Sequence, residues 1–284
     1  MTVENFKVPG ATLHVDVQGS GPTLLIIPGA PADYTVLAPV AAILAEKYRV
    51  VTYDLRGMSR SPFDGDPVDL TASDYADDAA RVIDQYADGG PVPVLAASGG
   101  AVAALDLVTR YPGKVSTLIA HEPPIAGVLD NGAEWIAFFD EVHEVGKTAG
   151  GGAAMGLFIA SFDGYAGPEK DESKGEFPGF PMPDFTQLTP EQAEFFQRMG
   201  SNSEVFVNHI IRATPRYEPD YDALKASDTK IVVALGETSK AQFPHRAAAE
   251  VAKNLGVEPV YFVGGHDGFG DAQGWAAGVE RALS

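Results

Sequence analysis

The sequence predicts an α/β protein: a mostly parallel, doubly wound sheet carrying a helical insertion. Three observations predict it. Short, largely apolar runs at residues 23–27, 49–53, 115–120 and 230–235 read as buried strands. Segments of helical periodicity separate them, and strands alternating with helices imply parallel pairing through crossovers. The alternation stops after residue 124 and resumes near residue 226, so the stretch between interrupts one sheet rather than building a second. The expected organisation is a core of residues 1–124 and 226–284 with a helical cap, or lid, at 125–225.

In chain order, residues 12–17 alternate like a half-buried strand, closed by Gly19, Gly21 and Pro22. The strand at 23–27 runs into Pro28-Gly29-Ala30-Pro31, and a helix is predicted over 36–47. The strand at 49–53 ends in Asp54-Leu55-Arg56-Gly57-Met58-Ser59-Arg60-Ser61. A helix over 74–86 follows, with Thr71 or Ser73 as its N-cap. The apolar run from Val94 stops at Ser98, a helix runs to Tyr111, and the strand at 115–120 ends in His121-Glu122-Pro123-Pro124. Within the insertion, helices are predicted over 135–145, 153–162, 190–199 and 204–213, with a Pro/Gly-rich patch at 164–183. A strand (230–235), helix (244–255), strand (259–263) and helix (272–283) complete the chain.

The organising stretch is Val94-Leu95-Ala96-Ala97-Ser98-Gly99-Gly100-Ala101. A strand, a very tight turn and a helix place Ser98 at the apex, and small Ala96 and Gly100 let strand and helix pass closely. This is a nucleophile elbow of the G-x-S-x-G kind, with alanine in the first glycine position. The letters alone fit a Gly-rich loop or helix cap equally well; the flanking strand and helix favour the elbow. In doubly wound sheets, sites form outside the carboxyl ends of the strands, where all these motifs fall.

The chain's 284 residues suffice for a full core. With 20 Lys+Arg against 39 Asp+Glu, its net charge of −19 argues against nucleic acid and anionic membranes as partners. There is no cysteine, hence no disulfide, thiolate nucleophile or Cys-based metal site. No leader-like pattern opens the sequence and no apolar run approaches a membrane span, so the cytoplasm is the expected location. No His/Asp/Glu grouping has metal-ligand spacing, and neither a metal nor a cofactor is expected. A homodimer is compatible with everything in the sequence.

A serine hydroxyl needs a base. Of six histidines, His14 lies in a strand and His143, His209 and His245 in predicted helices. His121 reads as packing, whereas His266, in Gly264-Gly265-His266-Asp267-Gly268 beyond the last strand, is the expected base. The Ala30 and Gly99 amides are the expected oxyanion donors. The third member should be a carboxylate that holds the histidine tautomer. After the strand at 230–235, Gly236-Glu237-Thr238-Ser239 puts serine where an aspartate commonly stands. Glu237 and Glu122 remain, and Asp267 is too local to His266 to orient its ring. Glu122 is favoured, because a carboxylate at a buried strand end, pinned by Pro123 and Pro124, is costly to leave unpaired.

The order Ser98, Glu122, His266, with Pro28-Gly29-Ala30-Pro31 and Asp54-x-Arg56-Gly57-x-Ser59-x-Ser61, resembles the α/β-hydrolase superfamily over nearly the whole chain. Residues 48–53, Gly57-Met58-Ser59-Arg60-Ser61 and His121-Glu122-x-Pro124 are similar to the zearalenone-lactonase type. That resemblance implies an α/β-hydrolase fold, a glutamate acid after the strand following the nucleophile helix, and a lactone substrate. The insertion matches too loosely to carry substrate residues over.

The expected activity is cofactor-free serine hydrolysis of a small apolar ester or lactone. Trp135, Phe138, Phe139, Phe158, Phe162 and Phe206 are candidates for an apolar substrate chamber, with plain packing as the competing role. The same scaffold also hosts C–C hydrolases, perhydrolases and cofactor-free oxygenases, and a ligand-binding receptor with an idle site is the alternative from another class.

Overall fold

The computed structural model describes residues 2–179 and 184–284. Its strands are β1 (Thr2–Val8), β2 (Ala11–Gln18), β3 (Thr23–Ile27), β4 (Arg49–Tyr53), β5 (Val92–Ala97), β6 (Val115–His121), β7 (Lys230–Gly236) and β8 (Val260–Phe262). They form one sheet in the order β1-β2-β4-β3-β5-β6-β7-β8. β2 runs antiparallel to both β1 and β4; from β4 to β8 every pairing is parallel. The mostly parallel, doubly wound sheet is therefore as expected. β1 was not anticipated from sequence: it is a largely exposed edge strand with little apolar patterning, held by its hairpin with β2.

The helices are α1 (Ala38–Leu44), α2 (Ala72–Tyr86), α3 (Gly99–Arg110), α4 (Gly132–Ala149), α5 (Gly151–Phe162), α6 (Pro190–His209), α7 (Tyr221–Ala226), α8 (Phe243–Leu255) and α9 (Ala272–Leu283). Side chains alternate across a strand, and β3 shows what this does. Leu24 and Ile26 pack with Val40 and Leu44 of α1 and Trp275 and Val279 of α9. Leu25 and Ile27 join the opposite core, with Val82 of α2, Leu105 of α3 and Val251 of α8. Each such fully buried aliphatic side chain contributes roughly 1.5–3 kcal/mol. This two-sided burial is why the central strands read as unbroken apolar runs.

Local details follow their residues. Thr71 caps α2, and the Asp74 carboxylate accepts from both its backbone amide (2.8 Å) and its hydroxyl (2.6 Å). The predicted helix at 36–47 is a 3-10 turn, Tyr34–Leu37, capped by Asp33 and followed by α1. α3 starts directly at Gly99, because Ser98 itself is the cap residue. The two helices predicted over 190–199 and 204–213 are one helix, α6, capped by Thr189 with Pro190 in its first turn. Gly200 costs such a helix about 1 kcal/mol. Flanking Arg198 and Asn202 offset this by docking on the loops after β3 and β4. α7 was not anticipated, and of the Pro/Gly-rich patch residues 180–183 lie outside the described residues. Among the described residues, no helix is long and apolar enough to cross a membrane.

The register aligns the strand ends. Ala97 pairs with His121, and His121 pairs with Ala234, so Ser98 and Glu122 leave the sheet side by side, next to the end of β7.

Candidate active site

Ser98 lies between β5 and α3 with φ 52° and ψ −126°, a positive-φ conformation uncommon for a non-glycine residue. Its amide donates to the His121 carbonyl at 2.8 Å, and its carbonyl accepts from the Ala101 amide at 2.9 Å. Sheet and helix thus hold the turn from both ends. Crowding forces the small residues: a Cβ on Gly100 would lie 2.4 Å from the Pro28 carbonyl oxygen. A Cβ on Gly29 would lie 2.8 Å from the Ser98 Cβ, so the loop after β3 presses directly on the serine.

The loop after β8 brings His266 to the same edge. Its Nε2 is 3.1 Å from Ser98 Oγ and its Nδ1 is 2.8 Å from Glu122 Oε2. Glu122 is fully buried and has φ 47°. Its other oxygen, Oε1, accepts from the Gly236 amide at 2.8 Å and from the Ser239 hydroxyl, and lies 3.1 Å from His245 Nδ1. Burial pushes this carboxyl up, but the hydrogen bond and charge of His266, with help from His121 and Ser239, override it and hold the group at about 2. Glu122 is therefore a carboxylate at neutral pH.

The serine at 239 thus donates to the glutamate from the neighbouring strand end. Glu237 is exposed, its amide is spent on the Phe262 carbonyl (3.0 Å), and His266 turns to Glu122 instead. His245, a helix residue in the sequence, touches the buried acid. Its place at the start of α8 gives no sequence-level sign of this, since the contact arises only from the adjacency of β6 and β7.

His121 is completely buried, and among the described residues neither ring nitrogen has a hydrogen-bond partner. Desolvation lowers its pKa to about 3, so the ring is neutral. It packs edge-on against Trp275 (4.7 Å between centroids) and parallel to His266 (6.3 Å). His121, Glu122 and His266 also bring three ligand-type atoms within 4.8 Å of one another, a grouping invisible in the spacing. Two of the three residues already share the 2.8 Å hydrogen bond between Glu122 and His266.

Ala30 and Gly99 line a cavity of about 40 Å³ over Ser98 and His266. Among the described residues, neither amide donates in a backbone bond of the surrounding turns. The cavity walls are apolar, with Phe139, Phe158, Phe162, Phe206, Ile210 and Phe243 among them. Trp135 and Phe138 are not among its lining residues. Trp135 is 1% exposed and packs on Phe243, 4.4 Å between centroids, so for these two the packing role is the observed one. Phe243, which opens α8, lies outside the insertion whose aromatics the sequence offers for the chamber, so composition alone does not point to it.

The Asp54 to Ser61 motif works as scaffolding. Arg60 pairs with Asp54 (2.7 Å), Arg56 with Asp78, and the Ser61 hydroxyl donates to the Asp54 carbonyl (2.7 Å).

The sequence profile described as alpha/beta hydrolase fold matches residues 22–275. The uncharacterized hydrolase YraK of Bacillus subtilis (strain 168) is 32% identical over 275 residues, 95% of this chain and 92% of that protein. A thermophilic esterase from Thermogutta terrifontis superposes with a TM-score of 0.70 at 19% identity, covering 99% of this chain and 98% of that one. The epoxide hydrolase VrEH1 from Vigna radiata gives a TM-score of 0.71 at 18% identity, covering 99% and 97%. At such identities the two structures speak for the fold alone.

Proposed function

The chain belongs to the alpha/beta hydrolase fold family, and on that premise we propose that it is a serine hydrolase of carboxylic esters or lactones that uses no cofactor. The observation that carries the proposal is the unbroken line of hydrogen bonds from Ser98 Oγ through His266 to Glu122.

In this mechanism Glu122 accepts the Nδ1 proton of His266 in a hydrogen bond, which leaves Nε2 free to take the proton of Ser98. Oγ attacks the carbonyl carbon, and the tetrahedral oxyanion lies between the Ala30 and Gly99 amides. His266 gives its new proton to the leaving alcohol, and the C–O bond breaks to an acyl-enzyme. Water then donates a proton to His266, attacks the acyl carbon, and the acid departs as Ser98 is reprotonated. With a lactone the alcohol stays tethered to the acyl group, so water must intercept the acyl-enzyme before the ring recloses.

Residues 125–225 serve as the lid in this scheme. The chamber of about 40 Å³ is small beside the roughly 300–1,000 Å³ typical of drug-sized ligand sites. As it stands it takes the reacting carbonyl and a compact apolar group. A zearalenone-like macrolactone enters only if the half-buried Phe158 and Phe162 withdraw. The acid after β6 supports kinship with the zearalenone-lactonase type, while the chamber favours smaller esters and lactones.

Epoxide opening is the less suitable chemistry. A serine attacking an epoxide would form an ether, which the water step above cannot cleave. Replacing Ser98 with Ala is expected to abolish hydrolysis of p-nitrophenyl acetate in folded protein. Turnover that survives in the variant would reject the acyl-enzyme. A panel of linear esters, small lactones and resorcylic macrolactones then ranks the substrates.

A further inference from the structure

We propose that Asn202, on α6 of the insertion, is a positioning residue for the oxyanion donor, clamping the loop that carries the Ala30 amide. Asn202 is completely buried. Its Nδ2 donates to the Pro31 carbonyl at 2.7 Å and to Ser59 Oγ at 2.9 Å, and its Oδ1 accepts from the Ser59 amide at 2.6 Å. One side chain therefore ties the loop after β3 to the loop after β4. Ser59 has φ 46°, a conformation that a non-glycine residue keeps only under external constraint, and Asn202 holds both its amide and its hydroxyl.

A second contact from the same helix reinforces the first. Arg198, four residues earlier and so on the same face, donates from Nε to Asp33 Oδ2 at 2.9 Å. Asp33 is completely buried and caps the 3-10 turn that follows the loop. The loop is thus pinned at Pro31 and Asp33 from α6 and pressed against Ser98 at Gly29. Ala30 lies between the fixed points, and its N–H direction is set by them. A helix of the insertion thereby fixes a catalytic amide of the core, so displacing α6 would release the donor and lower the rate even with Ser98, His266 and Glu122 in register.

The role presupposes acyl transfer at Ser98, and the experiment separates the two claims. Asn202→Ala and Asn202→Asp are compared with wild type for p-nitrophenyl acetate hydrolysis, with competent sites counted by burst titration. The inhibition constant of phenylboronic acid, which forms a tetrahedral anion on serine, is measured alongside. Losing an oxyanion donor outright costs roughly 10²–10³-fold in kcat, so misplacing one is expected to lower kcat per titrated site by about 10–100-fold. KM should change by less than about threefold, and boronate affinity should fall by the same factor as kcat. The aspartate keeps the acceptor for the Ser59 amide but cannot donate to Pro31, so it should share the loss; if the alanine variant does not fold, it decides alone. Unchanged kcat per site, or unchanged boronate affinity, in a folded variant overturns the clamp. Persistent turnover by Ser98→Ala overturns acyl transfer instead, whatever the Asn202 variants do.

Discussion

Replacing Glu122 with Gln tests the proposed acid, and the structure dictates how the amide must sit. Oε1 accepts from the Gly236 backbone amide, a donor that cannot turn away. Glutamine must therefore place its carbonyl oxygen at Oε1 and its NH2 group at Oε2, facing His266 Nδ1 across the 2.8 Å contact. Two donors cannot face each other, so Nδ1 becomes the acceptor and the ring proton moves to Nε2. That nitrogen then points N–H at Ser98 Oγ and cannot take its proton. A wrong tautomer in a serine triad costs ~10⁴-fold in kcat, about 5.5 kcal/mol of barrier. Glu237→Gln, at an exposed side chain, should change the rate by less than about twofold, within the roughly 0.5 kcal/mol of a surface substitution. Both variants are assayed on p-nitrophenyl acetate, with circular dichroism to confirm folding. A folded Glu122→Gln enzyme within tenfold of wild type, or a larger loss from Glu237→Gln, refutes the placement of the acid.

Other expectations follow from the same geometry. His121 stays neutral down to about pH 3 when folded but takes up a proton below its ordinary value of 6.5 when unfolded. The unfolded state binds more protons in that window, so stability is lost as the pH falls. By pH 5 the loss from this ring is about 2 kcal/mol, from 1.36 kcal/mol per pH unit. Urea denaturation at pH 7.5 and pH 5 should show His121→Phe losing less than wild type by that amount; identical losses would disprove it. Phe162→Ala opens the chamber and should raise kcat/KM for a naphthyl ester relative to p-nitrophenyl acetate by ~10-fold. Trp135→Ala, in contrast, removes core packing and should cost roughly 3–5 kcal/mol of stability, leaving that ratio unchanged. The opposite assignment of effects would show that the chamber wall has been misidentified.

Most of the sheet was legible because strands buried on both faces leave no choice of residue: 23–27 and 49–53 match β3 and β4 at both ends. Ser98, His266 and Glu122 were legible because each ends a strand or follows one closely. β1 was not, since an exposed edge strand needs no apolar pattern. α6 reads as two helices in the sequence because Gly200-Ser201-Asn202-Ser203 has the composition of a loop, whereas in the structure Arg198 and Asn202 dock that stretch on the core. His245 and Asn202 share a reason for being missed. Each acts across elements far apart in sequence, 123 residues for His245 and Glu122 and 171 for Asn202 and Pro31.

The serine at 239 also follows from geometry. β6 and β7 are neighbours, and adjacent strands lie about 4.8 Å apart, so a carboxylate leaving β6 can reach ground normally approached from β7. It does so here because Glu122 adopts φ 47° and its chain turns across the end of β7, over Gly236. Nothing larger than glycine fits at 236: a Cβ there would lie 2.6 Å from Ser239 Oγ and 2.8 Å from the Gly265 carbonyl carbon. Once Glu122 occupies that place, an aspartate at 239 would set a second carboxylate against its Oε1, and two carboxylates in one buried site cannot both stay ionised. A hydroxyl fills the position with a donor instead. Ser239 therefore suits a carboxylate that leaves the end of β6, and the positive-φ residues Ser98 and Glu122 are the bends that turn two neighbouring strand ends toward one imidazole.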